Sequence, residues 1–180
     1  MKLLHQGLCA LLLVGCGGAG GSAGESTTAA GAESSGARAP DFTSRDVDGK
    51  TVRLSDYLGK NQVILLNFWS TFCEPCMAEF PHIRRITNEN KAKGFVTIGI
   101  SMDGPETVAQ VPSFVKRNNL DFTVVYDEDS TIASLYNPKK AAPLSVIIDR
   151  KGTIRHIREG YNPGDEEELE KEIKALVDAP

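Results

Sequence analysis

The strongest pattern in the chain is the continuous apolar run Val63-Ile64-Leu65-Leu66-Asn67-Phe68-Trp69. A run of that length is typical of a central strand buried on both faces. Similar runs recur at Phe95–Ser101, Phe122–Tyr126 and Leu144–Asp149. Helix-like segments lie between them, around 74–92, 105–119 and 129–136. Strands alternating with helices imply βαβ crossovers and a largely parallel centre. Asp149-Arg150-Lys151-Gly152 then turns the chain into Thr153–Arg158, a final antiparallel strand. The last segment places Leu169, Ile173, Leu176 and Val177 on one face of a helix. Its acidic run Asp165–Glu168 falls in the first turn, where the helix dipole favours negative charge. Upstream, Asp48-Gly49 reads as a hairpin turn, with Ser55 as the expected N-cap of a short helix. The fold class is therefore α/β, with a mixed central sheet flanked by helices.

The first residues follow a different pattern. Lys2 and the α-amine supply a positive start, and Leu8-Cys9-Ala10-Leu11-Leu12-Leu13-Val14 is a short apolar core. Seven apolar residues are too few to span a bilayer and suit a secretory signal over residues 1–15. The run ends Leu13-Val14-Gly15-Cys16, which resembles the lipobox of bacterial lipoproteins. That resemblance implies cleavage before Cys16 and lipidation of its thiol and new amine. An ordinary signal cut a few residues later would leave Cys16 removed or free. Cys9 leaves with the signal. Residues 17–39 hold seven Gly, seven Ala and four Ser, without an aromatic or branched aliphatic residue. Such a stretch cannot bury enough apolar surface to offset chain entropy, so residues 16–39 form a flexible tether reaching about 24–29 Å. The folded domain is expected over 40–180.

Composition narrows the function. The chain has 180 residues, 41% hydrophobic and 24% charged, with a formal net charge of −4. Those values suit one globular domain and argue against nucleic-acid binding or a polybasic membrane surface. The remaining two of its four cysteines form Cys73-Glu74-Pro75-Cys76, directly after the central strand and at the start of a helix. Thiols with that spacing on a helical first turn can close a small disulfide ring. The first thiol would lie near unpaired N–H groups and the positive end of the helix dipole, which favour the thiolate that attacks disulfides. Pro75 suits the opening turn because its missing N–H would be unpaired there. A bare CxxC can also be half a zinc site, but no second CxxC or His-x₃₋₅-His follows. His82 and His156 are the other candidate ligands and read better as surface or packing residues. The chemistry calls for neither a metal nor another cofactor.

Asn67-Phe68-Trp69-Ser70-Thr71-Phe72-Cys73-Glu74-Pro75-Cys76 resembles a thioredoxin-fold active site. More narrowly, residues 40–178 resemble the TlpA/ResA group of membrane-tethered, extracytoplasmic thiol-disulfide oxidoreductases. The resemblance implies a redox disulfide Cys73–Cys76, with Cys73 attacking and Cys76 resolving. Pro81 matches the proline that kinks the family's first long helix. Ala142-Pro143 matches the family's cis-proline beside the disulfide; a plain strand-entry proline is the alternative. The 66 residues between Cys76 and Pro143 exceed a minimal thioredoxin and match the group's central helix-strand insertion. The N-terminal hairpin points the same way.

Asn67 stands where thioredoxin itself has a buried proton-shuttling acid. Glu79, one turn past Cys76, resembles the glutamate that affects the buried thiol in ResA-type members. Its alternative is an exposed helix glutamate. Trp69 and Phe72 fit the aromatic pair around the site, although Phe72 replaces the commoner Trp. Ala141-Ala142-Pro143-Leu144 likewise departs from the usual Gly-x-Pro-Thr pattern.

By this resemblance the protein is a monomeric reductant of protein disulfides on the periplasmic face of the bacterial envelope. Apocytochrome c is a candidate substrate, and a membrane thiol donor would recharge the enzyme. Two other functions compete. A peroxiredoxin-like peroxidase would need a Thr placed ahead of its reactive Cys, which Thr71 supplies in part. A copper-delivery protein of related fold would use Cys-x₃-Cys and a distant His, a spacing absent here.

Overall fold

A computed structural model of the protein describes residues 36–179. The signal peptide, Cys9, Cys16 and the tether up to residue 35 lie outside the described residues. The elements run β1 (Thr43–Arg45), β2 (Thr51–Arg53), α1 (Leu54–Leu58), β3 (Val63–Trp69), α2 (Glu74–Asn90), β4 (Phe95–Ser101), α3 (Val111–Arg117), β5 (Thr123–Tyr126), α4 (Thr131–Tyr136), β6 (Leu144–Ile148), β7 (Ile154–Glu159) and α5 (Asp165–Val177). Short 3₁₀ turns at Lys91–Lys93 and Val108–Gln110 follow α2 and precede α3.

Five strands form one sheet in the order β5-β4-β3-β6-β7. The parallel part is β3-β4-β5; β6 joins β3 antiparallel, and β7 joins β6 antiparallel. Strands β1 and β2 make a separate antiparallel hairpin. Its turn forms where Asp48-Gly49 predicts it, with Gly49 at φ 80° and Asp46 Oδ1 accepting the N–H groups of Asp48 and Lys50.

Every residue of β3 is buried, as its continuous apolar run demands. Alternation along the strand divides them between two faces. Ile64, Leu66 and Phe68 pack with Phe42, Leu54, Ile98, Val125 and Ile132. Val63 and Leu65 meet Ile83 and Ile86 of α2 and Leu169, Ile173 and Val177 of α5. The helical face read from the C-terminal segment is thus the one buried. Burying each of these side chains contributes roughly 1.5–3 kcal/mol before chain entropy is set against it.

Several local details differ from the sequence reading. The short helix starts at Leu54, so Ser55 lies inside it and does not cap it. Asp41 does that work from a distance: its Oδ1 accepts the N–H groups of Ser55 and Phe42, both at 2.9 Å. The segment expected as a helix over 105–119 becomes helical only near Pro112, which sits in the first turn of α3. Helix α4 begins two residues late because Asp127 caps it, taking the N–H groups of Ile132 and Ala133 at 2.8 Å. Residues 36–39, read as the end of the tether, line the start of β7. Gly36 and Ala39 donate to the carbonyls of Ile154 and Gly152, and Ala37 accepts from Ile154. No helix among the described residues is long and apolar enough to cross a membrane.

Candidate active site

The site forms where the C-terminal ends of the parallel strands β3 and β4 meet the start of α2. Trp69 and Ser101 are Cα partners, so the loops leaving both strands share one edge of the sheet. The first of these loops delivers Cys73 to the N-cap position of α2, with Pro75 in the opening turn. Cys73 Sγ accepts the Cys76 N–H at 3.2 Å. One orphan donor of the helix start is thereby aimed at the sulfur, a geometry that stabilises negative charge when the thiol ionises. Cys73 and Cys76 are joined in a disulfide with Cα atoms 5.3 Å apart. Cys73 is 7% exposed and Cys76 is 0% exposed. Solvent and any macromolecular partner therefore reach the disulfide from the Cys73 side.

The Ala142–Pro143 bond is cis, and Ala142 packs against the cluster that contains both cysteines. Pro81 lies inside α2, where it can make no bond to the Met77 carbonyl. The two aromatic residues expected to flank the disulfide as a pair part company. Trp69 is fully buried beneath it, stacked on Phe114 with centroids 5.1 Å apart and edge-on to Phe80. Phe72 is 72% exposed and stands on the surface beside Cys73. Trp69 fits because of Gly99 on β4, where a Cβ would come within 2.9 Å of Phe122 and 3.0 Å of the indole nitrogen.

Glu79 is buried, at 4% exposure, so the reading as an exposed helix glutamate is excluded. Asn67 Nδ2 donates to its carboxylate at 3.1 Å and to Ser145 Oγ at 3.3 Å. Burial pushes the Glu79 carboxyl up to about 7, against the opposing effects of the Asn67 hydrogen bond and the positive charge of Arg158. Near neutral pH it is poised between its two protonation states.

Asp103 escaped the sequence reading. It is fully buried just past β4, and its carboxylate accepts from Thr71 N–H at 3.0 Å, Thr71 Oγ1 at 2.5 Å and Ser101 Oγ at 2.9 Å. These bonds tie down the loop that carries Cys73. The available signal was an acid directly after an apolar strand, at the strand ends where parallel sheets build their sites. Arg158 was also missed, because its importance depends on which strand lies beside β6. His82 and His156 each lie against a glutamate: His82 with Glu166 at 3.7 Å, His156 with Glu172 at 3.2 Å.

Comparison with known proteins agrees with this geometry. A model of the AhpC/TSA family matches residues 35–157. The thiol-disulfide oxidoreductase ResA of Oceanobacillus iheyensis is 38% identical over 126 residues, covering 68% of this chain and 63% of that protein. ResA of Bacillus thuringiensis subsp. konkukian is 34% identical over 142 residues, covering 79% and 78%. The crystal structure of a protein assigned as thiol:disulfide interchange protein DsbE, from Chlorobium tepidum, superposes with a TM-score of 0.72 at 34% identity. It covers 79% of this chain and 96% of that one. The fold is accordingly thioredoxin-like. With the CxxC pair seated at the start of α2, the chain belongs to the AhpC/TSA family and, within it, to the TlpA/ResA-type thiol-disulfide oxidoreductases.

Proposed function

We propose that the protein is a lipid-anchored reductant of protein disulfides on the periplasmic face of the bacterial cell envelope, with Cys73 as attacker and Cys76 as resolver. The observation that carries the assignment of roles is the unequal burial of the two cysteines at the helix start: Cys73, the N-cap residue, keeps 7% of its surface exposed, whereas Cys76 keeps none. Thiolate Cys73 attacks one sulfur of a substrate disulfide, and the other sulfur leaves as a thiolate and takes a proton. Cys76 then gives up its proton and attacks Cys73 Sγ, which breaks the mixed disulfide and frees the second substrate thiolate. The substrate gains two electrons and the enzyme ends as the Cys73–Cys76 disulfide. A membrane dithiol donor returns the two electrons and is itself oxidised.

Glu79, with its carboxyl near 7, is suited to take the Cys76 proton during resolution. Exposed Phe72, next to Cys73, and Ala142 of the cis Ala142–Pro143 bond, packed with the cysteine cluster, are the features a substrate backbone would meet. A substrate with a CxxC disulfide, such as the haem-attachment site of apocytochrome c, suits an enzyme of this type held outside the cytoplasm. The lipobox-like Leu13-Val14-Gly15-Cys16 supports that location. The peroxidase reading is weaker, since the Thr71 hydroxyl that it would need beside the reactive sulfur is bonded to Asp103.

Trapping in cells tests the scheme. Cys76→Ser should accumulate mixed disulfides through Cys73 and Cys73→Ser should not, with mass spectrometry naming the trapped partners. The opposite pattern would reverse the assignment of attacker and resolver.

A further inference from the structure

One row across the sheet breaks the apolar pattern on the face covered by α2 and α5. Asn67 on β3, Ser145 on β6 and Arg158 on β7 are consecutive Cα partners. The row on one side of it holds Leu65 and Ile147, both in the core. Asn67 binds Glu79 and Ser145, as described above. At the far end of the row, Arg158 Nη1 donates to Glu172 Oε1 at 3.1 Å, and His156 Nδ1 lies 3.2 Å from the same oxygen. Glu172 projects from α5, is buried, and its Oε2 has no hydrogen-bond partner. Arg158 is therefore bonded to one buried carboxylate, Glu172 on α5, and shares its row with the Asn67 that holds another, Glu79 on α2.

A buried ion pair gains little stability over well-packed apolar residues, so fastening α5 to β7 is a weak reason for this arrangement. We propose that Arg158 is a positioning residue for thiol chemistry: shared between Glu172 and Glu79, it sets how readily Glu79 carries charge. The link to Cys76 rests on the proton-transfer role proposed above; the effect on Glu79 does not.

The groups that act on Glu79 come from every element around it. Arg158 on β7 favours the carboxylate, whereas Asp165 at the start of α5 opposes it. Tyr161, before α5, feels the Glu79 charge and bonds Glu166, which also meets His82. Cys76 lies one turn back on α2 itself, and β4 contributes only Gly99 to the row. Arg158 is the cation of this set. Glu172 weakens its effect by holding the guanidinium.

The test is a carbon-13 NMR titration of Glu79 in the full chain with Cys73–Cys76 oxidised, its signal assigned by its loss in Glu79→Gln. Arg158→Met should raise the Glu79 midpoint by about one unit, and Glu172→Gln should lower it. Arg158→Lys should restore most of the wild-type value. Opposite shifts in Arg158→Met and Glu172→Gln support the proposal; a shift of the same sign in both, or none in either, overturns it. If Arg158→Met does not fold, Glu172→Gln alone decides: a lowered midpoint supports the proposal and an unmoved one overturns it. With Cys73 and Cys76 joined the site has no thiol to titrate, so this outcome is independent of whether Glu79 exchanges protons with Cys76. That second question is read from thiol alkylation in Glu79→Gln.

Discussion

The side-chain amide of Asn67 and the carboxylate of Glu79 meet at 3.1 Å in the interior, between the central strand and the helix that carries both cysteines. That bond uses Asn67 Nδ2, and Asn67 Oδ1 has no hydrogen-bond partner. The amide can therefore donate to a charged Glu79 as it stands, or turn and accept from a protonated one. An acid at position 67 would add a second buried charge there; an amide leaves Glu79 as the titrating group of the pair.

Stability should record this carboxyl. In the folded protein it titrates at about 7, and its ordinary value is 4.5. Between those values the unfolded chain releases a proton that the folded protein retains, so stability falls as pH rises from 4.5 to 7 and stays lower above. Glu79→Gln should remove the loss. In the oxidised protein the variant should be more stable than wild type at pH 8, by about 3 kcal/mol at most, and nearly equal to it at pH 4. Urea unfolding at the two pH values checks this; equal differences at both would disprove the buried titration.

The same variant tests the thiols. A charged Glu79 near Cys76 disfavours a neighbouring thiolate. In Glu79→Gln, alkylation of the reduced cysteines should shift to lower pH, while turnover falls because resolution loses its proton acceptor. Superimposable alkylation profiles would remove Glu79 from the mechanism.

Asp103 should hold the Cys73 loop. Asp103→Ala strips the acceptor from two donors of Thr71 and from Ser101 Oγ. A buried donor left unpaired costs about 1–3 kcal/mol, so a loss of roughly 3 kcal/mol is expected, partly relieved by water at Thr71. Asp103→Asn retains one acceptor oxygen and should lose less. Urea unfolding measures the stability, and the alkylation rate of Cys73 at fixed pH should change with it.

Gly99→Ala should disturb the site from below. The added methyl would sit 2.9 Å from Phe122 and 3.0 Å from the Trp69 indole, inside a packed core. Overpacking of this kind costs about 1–3 kcal/mol. Trp69 is the chain's one tryptophan, so its fluorescence follows both the unfolding and the displaced ring.

The anchor is tested in cells. Cys16→Ser should move the protein from the membrane fraction to the soluble one, and a chain beginning at Gly36 should retain disulfide reductase activity in solution. Unchanged sedimentation of Cys16→Ser would refute lipidation.

Much of this protein is written locally. Val63–Trp69 is a buried strand because it is apolar on both faces, and the α5 segment is a helix because Leu169, Ile173 and Val177 recur with its period. The spacing of Cys73 and Cys76, with Pro75 between them, specifies a helix start able to hold a disulfide. Each is a property of neighbours in the chain, so each was legible there. What those residues meet was decided only by tertiary structure. Trp69 and Phe72 are three apart, yet one is sealed under Phe114 and the other faces solvent, because the strand ends between them. Glu79 is buried against Asn67 of β3, Asp103 reaches Thr71 because β3 and β4 run parallel, and Arg158 joins Asn67 through the order β3-β6-β7. A carboxyl's charge depends on solvent and partners brought from distant segments, and no local pattern of residues carries that information.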